Sequence, residues 1–228
     1  MEIDLLLPTR GHADRVIEVL LPSIEHTMGK MAEVNLYVYV DCDDVETMKK
    51  TWDIENACPD IFCTCVVGQR MCMSAMYNQL AGLGTGDMVM CCADDLEFKG
   101  RNWDEYMGNL FMAFPDEIIC GYGDDGYWHE KLGTHPFVSR KSIQLLGYLF
   151  ASNLKRYYCD LYLKELYQKL NRYIYLDHVL IEHNCARHGS AEAAHTEDFN
   201  TMLNASDMIS REATRLRGYI KRFYHLTR

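Results

Sequence analysis

Residues 86–103 read Gly86-Asp87-Met88-Val89-Met90-Cys91-Cys92-Ala93-Asp94-Asp95-Leu96-Glu97-Phe98-Lys99-Gly100-Arg101-Asn102-Trp103. An apolar run, Met88 to Ala93, ends abruptly at two adjacent carboxylates, Asp94 and Asp95. A short apolar run bounded by polar residues fits a buried strand of a parallel sheet. Open α/β sheets bind their ligands beyond the carboxyl ends of such strands. Two neighbouring acids there repel unless something compensates their charge, and a divalent cation with a phosphorylated ligand does so. The stretch predicts an α/β enzyme that handles a nucleotide or similar phosphate compound with the help of a metal.

Strand and helix signals alternate ahead of this stretch. Ile3 to Leu7 is a strand candidate ending at Pro8-Thr9-Arg10-Gly11, with a helix expected over 13–28. Val34 to Val40 reads as a second strand ending at Asp41-Cys42-Asp43-Asp44, followed by a short helix over 45–52. Ile61 to Val67 reads as a third strand, and a helix over 71–83 carries Asn78. This order points to a mostly parallel central sheet with right-handed crossovers and flanking helices. The second half is less regular. Helices are expected over 103–114 and 157–170, and from Ser139, as N-cap, to Leu146. Strands are expected over 117–122, 133–138, 173–175 and 179–182, with a glycine-rich acidic loop at 121–126. The stretch 184–200 is polar and aperiodic, and its His188 and His195 are candidates for a lid. A last helix is expected over 205–224. No repeat or linker divides the chain.

Composition narrows the function classes. The 228 residues suit one well-buried domain. No apolar run approaches the roughly 18–20 residues of a membrane span. Met1-Glu2-Ile3-Asp4 lacks the basic start of a signal peptide, so the expected location is the cytoplasm. The ten cysteines lie mostly in apolar, strand-like runs and read as small hydrophobes in a reducing compartment. Cys58, Cys63 and Cys65 do not form the paired spacing of a zinc site. The net charge of −10 is uneven. Residues 211–228 hold six Lys/Arg and one acid, a charge of +5, whereas the rest holds 17 basic and 32 acidic residues, or −15. Such an acidic body disfavours non-specific binding to nucleic acid. In the basic tail Ile209, Ala213, Leu216, Ile220 and Phe223 share one helical stripe, which predicts a helix packed on the same domain.

Three polar clusters, at Pro8-Thr9-Arg10, Asp41 to Asp44 and Asp94-Asp95, follow strand ends and should converge on one sheet edge. Asp43 and Asp44 also suit turn and helix-cap positions. In this order the motifs resemble the family 2-like glycosyltransferases of the GT-A fold, the Rossmann-like fold of nucleotide-diphospho-sugar transferases. Leu5-Leu6-Leu7-Pro8-Thr9-Arg10 is similar to their opening strand, and Tyr39-Val40-Asp41 to their second strand with its uracil-contacting aspartate. Arg70, Asn78, Gly86-Asp87 and Ala93-Asp94-Asp95 follow in the family's order, although Ala93 stands where Asp-x-Asp has its first acid. Thr134-His135-Pro136-Phe137-Val138-Ser139-Arg140, Leu146-Gly147-Tyr148, Tyr158-Cys159-Asp160 and Val179-Leu180-Ile181-Glu182-His183 are similar to a compact bacteriophage and bacterial subgroup. The resemblance spans about residues 3–190.

Outside the resemblance, the amphipathic tail predicts a basic helix over 205–228 docked on the domain; the resemblance implies a catalytic domain over residues 1–204. It implies an inverting, metal-dependent transfer of a sugar, a hexose above all, from a nucleotide sugar, with UDP as the nucleotide and glucose as one sugar that fits. By it, Asp160 is the general base. Pro8, Thr9, Arg10, Asp41, Arg70, Asn78 and Asp94 bind the donor, Asp94 at the ribose. Asp95 and His183 hold Mn²⁺ or Mg²⁺. Asp124, Asp125 and His135 are acceptor-side candidates. The acceptor is either a hydroxymethylated base in phage DNA or a bacterial or viral surface glycan. A non-catalytic nucleotide-sugar binding module is the competing class. A sugar nucleotidyltransferase is disfavoured because Pro8-Thr9-Arg10-Gly11 replaces its glycine-rich first loop.

Overall fold

The computed structural model describes residues 1–184, 200–202 and 204–227. The candidate lid residues His188 and His195 lie outside them. One eight-stranded sheet forms the centre: β1 (Glu2–Thr9), β2 (Glu33–Asp41), β3 (Phe62–Gly68), β4 (Met88–Cys91), β5 (Leu96–Phe98), β6 (Cys120–Asp124), β7 (Phe137–Ser139) and β8 (Tyr173–His183), in the spatial order β3-β2-β1-β4-β7-β6-β8-β5. Pairings β1–β2, β2–β3, β1–β4 and β6–β8 are parallel, and β4–β7, β6–β7 and β5–β8 antiparallel.

The helices flank this sheet. After β1, α1 (Ala13–Arg15), a π turn (Val16–Leu20) and α2 (Leu21–Thr27) run on as one helical segment. The interruption, where one unbroken helix was expected, precedes Pro22, which has no N–H to give the preceding turn. Then come α3 (Val45–Lys49), α4 (Thr51–Asn56), α5 (Met73–Ala81), α6 (Trp103–Met112), α7 (Arg140–Leu146), α8 (Cys159–Gln168) and α9 (Ser206–Leu226).

Strand β1 is central, and its side chains alternate between the two halves of the core. Ile3, Leu5 and Leu7 pack with Val34, Leu36, Met88 and Met90. Leu6 packs on the other face with Val89, Cys91, Tyr77 and Leu80. Asp4, in the same strand, is wholly buried. It accepts hydrogen bonds from Arg140 Nη2 at 2.5 Å, Gly86 N at 2.8 Å and Asn35 Nδ2 at 3.1 Å. Arg140 also binds the carbonyls of Gly86 and Ala81. This network ties the entry of β4 to β1.

Several expectations shift. Residues 121–124 of the expected glycine-rich loop belong to β6, and a Cβ on Gly123 would collide with the carbonyl oxygen of Val179. The strands expected at 173–175 and 179–182 are one strand, β8, whose pairing jumps from Gly123↔Leu176 to Asp124↔Leu180. Ser139 stands at the start of α7 but does not cap it. Its hydroxyl meets Ser142 Oγ at 2.8 Å and accepts from Ile119 N. The short strand β5 had no sequence signal of its own. The basic helix α9 buries Ile209, Ala213 and Leu216 in the core half formed with α7 and α8. Its buried Glu212 accepts from the hydroxyls of Tyr148 and Tyr162. No helix among the described residues is long and apolar enough to cross a membrane.

Candidate active site

The sheet order reverses at β1: the chain first adds β2 and β3 on one side, then returns to place β4 on the other. A ligand crevice opens where such a reversal occurs, beyond the carboxyl ends of the strands. The pairing of β1 with β4 stops at Leu6↔Cys91, and Cys92 N still donates to Leu6 O at 2.8 Å. Alternate residues of a strand face alternate neighbours, so the nitrogen of Pro8 faces the side where β4 has already departed. A residue without an N–H loses nothing there. Past this point Thr9 Oγ1 donates to Asp94 Oδ2 at 2.6 Å, bridging the two strand ends.

The nucleotide-side candidates lie along this edge. Arg10 Nη1 donates to Asp41 Oδ2 at 2.8 Å and to Asp43 Oδ1 at 2.5 Å, and Nη2 reaches Asp43 Oδ2 at 3.2 Å. Asp43 therefore holds Arg10 rather than simply shaping a turn. Its carboxyl is held below the usual range by this bond and the charge of Arg10, with a smaller contribution from the charge of Arg70. Asp44 caps α3 through Thr47 N and also accepts from Gly11 N. Asp41 is buried, and its Oδ1 has no hydrogen-bond partner. Such an atom is an acceptor awaiting a donor. Asn78 is spent differently: its Oδ1 accepts from Leu149 N and Phe150 N, both at 2.9 Å, and its Nδ2 donates to Phe150 O. It pins the 149–150 segment to α5.

Asp94 and Asp95 have unequal surroundings. Burial raises the Asp94 carboxyl against the lowering effect of Thr9. Burial also pushes Asp95 upward, but the bond and charge of His183 outweigh it, and the result lies below the ordinary value. Asp95 Oδ2 and His183 Nε2 meet at 3.2 Å. The antiparallel register Leu96↔His183 and the bond from Asn184 N to Asp95 O create this contact. Sequence reasoning missed Arg15, whose Nε and Nη2 donate to the carbonyls of Asp94 and Asp95 at 2.9 and 3.2 Å. Its only signal was a cation one helical turn beyond the loop after β1.

Against His183, His135 holds its Nδ1 3.0 Å from Cys91 O, and its Nε2 is buried without a partner. Its ring stands edge-to-face with that of His183, centroids 4.5 Å apart. Burial first, then the charge of His183, pushes the His135 pKa down to about 4. Asp125 is joined to this group: its carbonyl accepts from His183 N, and its Oδ2 accepts from Thr134 Oγ1. Asp125 Oδ1 fixes the next turn through Tyr127 N and Trp128 N. Asp124 pairs with His129 and accepts from Tyr175 Oη. Asp160 opens α8 beside Tyr158, a non-glycine residue at φ 63°. Burial raises the Asp160 carboxyl, while its bond from Leu161 N and the charge of His183 lower it in part.

Among the described residues no three His, Cys, Asp or Glu side chains are already spaced as a closed metal cage. The contacting pair of Asp95 and His183 suits a different kind of site. Divalent ions that work with phosphates take one or two protein ligands and complete their shell from substrate and water. A carboxylate oxygen with one imidazole nitrogen fits Mn²⁺ in that role.

No known protein-family profile matches the chain, and no curated protein is significantly similar in sequence. Solved structures are similar in shape. A mannosyltransferase from Pyrobaculum calidifontis in complex with GDP-Man and Mn²⁺ has a TM-score of 0.60 at 14% identity, over 95% of this chain and 73% of that one. S. aureus TarS 1–349 in complex with UDP has a TM-score of 0.62 at 14% identity, over 99% and 72%. Glucosyl-3-phosphoglycerate synthase from Mycobacterium tuberculosis, with Mn²⁺, UDP and glucosyl-3-phosphoglycerate, has a TM-score of 0.60 at 12% identity, over 89% and 79%. Sheet order, switch point and these likenesses together identify the architecture as the GT-A fold of nucleotide-sugar glycosyltransferases.

Proposed function

We propose that this protein is an inverting, metal-dependent glycosyltransferase that takes a hexose from a UDP-sugar. The observation that carries the reading is the meeting, beyond one edge of the sheet, of the Thr9–Asp94 bridge with the Asp95–His183 pair. The unpaired Asp41 Oδ1 suits the N–H of a uracil ring, and Asp94 suits a ribose hydroxyl. Arg10 and Arg70 border the diphosphate, Arg10 after release from Asp43. Asp95 and His183 would hold the cation, which supplies Lewis-acid neutralisation of the leaving diphosphate when bound. Residues 1–204 serve as the catalytic unit, on which the 205–228 helix docks.

In the reaction, the acceptor oxygen forms a bond to the anomeric carbon as the carbon–phosphate oxygen bond breaks. The bonding electrons leave with UDP, and the acceptor proton passes to Asp160. Partial burial suits Asp160 to this task, because a raised carboxyl pKa makes a stronger base. Asp124, Asp125 and Asp160 make the acceptor side acidic, which favours a neutral glycan over a polyanion. The exposed cations Arg211, Arg215, Lys221 and Arg222 on α9 are the one feature that favours a hydroxymethylated base in DNA.

The test is a thermal-shift screen of UDP- and GDP-sugars with and without Mn²⁺, followed by donor hydrolysis. A ligand at 100 times its Kd stabilises by about 2.7 kcal/mol, or roughly 5–10 °C for a domain of this size. A metal-dependent shift and hydrolysis, both lost in Asp95→Ala, are expected. No shift with any donor refutes the enzyme reading. A shift without turnover leaves the binding-module reading in its place.

A further inference from the structure

The orphaned nitrogen of His135 calls for an explanation. Buried polar atoms in folded proteins are nearly always hydrogen-bonded, and an exception calls for an explanation such as an ion or ligand that completes it. Nδ1 faces the carbonyl of Cys91 at 3.0 Å, which assigns the ring proton to Nδ1 and leaves Nε2 with a free lone pair. Metal-binding histidines are commonly held this way, one nitrogen donating to a backbone carbonyl and the other on the metal. The ring touches that of His183, which itself touches Asp95. Trp103 Nε1 and Tyr167 Oη are also buried without a partner, but deep in the apolar core; what sets His135 Nε2 apart is its place against His183 and, through it, Asp95. A monoatomic ligand also suits a sealed nitrogen better than an acceptor hydroxyl, which brings its sugar ring along.

We propose that His135 is a second imidazole ligand of the divalent cation, alongside Asp95 and His183. This rests on the metal-dependent reading above. Asp95 and His183 contact each other, and among the described residues no three side chains are already spaced as a cage, so a cation held by all three would have to come between Asp95 and His183. One carboxylate with two imidazoles is a donor set that prefers Mn²⁺, Co²⁺ or Zn²⁺ to Mg²⁺, which favours oxygen. His135 thus makes the site selective for a transition ion.

The experiment is Mn²⁺ binding to the full chain in the presence of UDP, followed by electron paramagnetic resonance, with pulsed detection of nitrogen couplings. Wild type should show two imidazole nitrogens, and His135→Gln one. Mn²⁺ affinity should fall about 10–100-fold in His135→Gln, while Mg²⁺ affinity, measured by competition, changes less than about threefold. If wild type shows a single imidazole, or if His135→Gln matches wild type in spectrum and affinity, the inference is overturned. The nitrogen count on wild type decides the matter even if the variant misfolds. If wild type with UDP binds no Mn²⁺ at all, the metal-dependent reading of the whole site falls with it.

Discussion

Asp4 and Arg140 tie the entry of β4 to β1, and the worth of that tie is measurable in one step. The Asp4 side chain is 0% exposed and that of Arg140 12%, so this is a buried ion pair. In Asp4→Leu the guanidinium keeps its carbonyl partners at Gly86 and Ala81 but loses its counter-charge. Gly86 N and the Asn35 amide lose an acceptor as well. Breaking a buried pair from one side costs about 3–5 kcal/mol. Each 1 kcal/mol corresponds to about 2–4 °C in a domain of this size, so the melting temperature should fall by roughly 6–20 °C. Replacing both charges, Asp4→Leu with Arg140→Met, removes the stranded cation and should recover at least about 1–2 kcal/mol relative to the sum of the single changes. Urea and thermal unfolding followed by circular dichroism measure all four proteins. A loss below about 1 kcal/mol in Asp4→Leu, or strict additivity in the double variant, refutes the reasoning.

Other perturbations read the site and the helix dock. Asp95→Asn and His183→Asn should each lower metal-dependent donor hydrolysis by about 100-fold or more while leaving the melting temperature of the metal-free protein within about 2 °C, checked by paired kinetics and calorimetry. EDTA should abolish wild-type turnover, with Mn²⁺ restoring it. Burial raises the Asp160 pKa, so the folded state holds that proton more tightly than the unfolded chain. Stability tied to Asp160 is then present at low pH and lost as pH rises through the raised value, whereas activity, with Asp160 as the proposed general base, should need the ionised form and fall as pH drops through it. Asp160→Asn should therefore stop transfer and melt no lower than wild type at neutral pH, measured by product formation and thermal unfolding. Glu212→Ala removes the acceptor of Tyr148 and Tyr162. It should cost about 1.5–3 kcal/mol and speed proteolytic release of α9, followed by mass spectrometry.

Much of the amino half was legible because a parallel sheet imposes local rules. Buried strands appear as apolar runs, and polar residues mark their carboxyl ends, as with Thr9, Asp41 and Asp94. The carboxyl half was less so. β5 has three residues and no periodicity of its own, and it exists because β8 offers it an edge. β8 itself looked like two strands because exposed Asp177 and His178 interrupt its apolar pattern where the pairing with β6 jumps. Asp43 read as a turn or cap residue, and Arg15 stood in no motif. Their partners lie on other strand ends, and no local pattern records such a pairing.

The sequence by itself determined that Asp94 and Asp95 follow a buried strand, that Thr9 and Asp41 follow two others, and that the chain alternates strand and helix into an α/β sheet. Local periodicity and strand-end polarity are properties of short segments, so they survive without a fold. Only the tertiary structure decided that Asp95 meets His183, that Thr9 bridges to Asp94 and that Arg10 is held by Asp41 and Asp43. It also left Asp41 Oδ1 and His135 Nε2 buried without partners. These depend on sheet order and on the register of β5 against β8, which are set when distant segments pack and share hydrogen bonds.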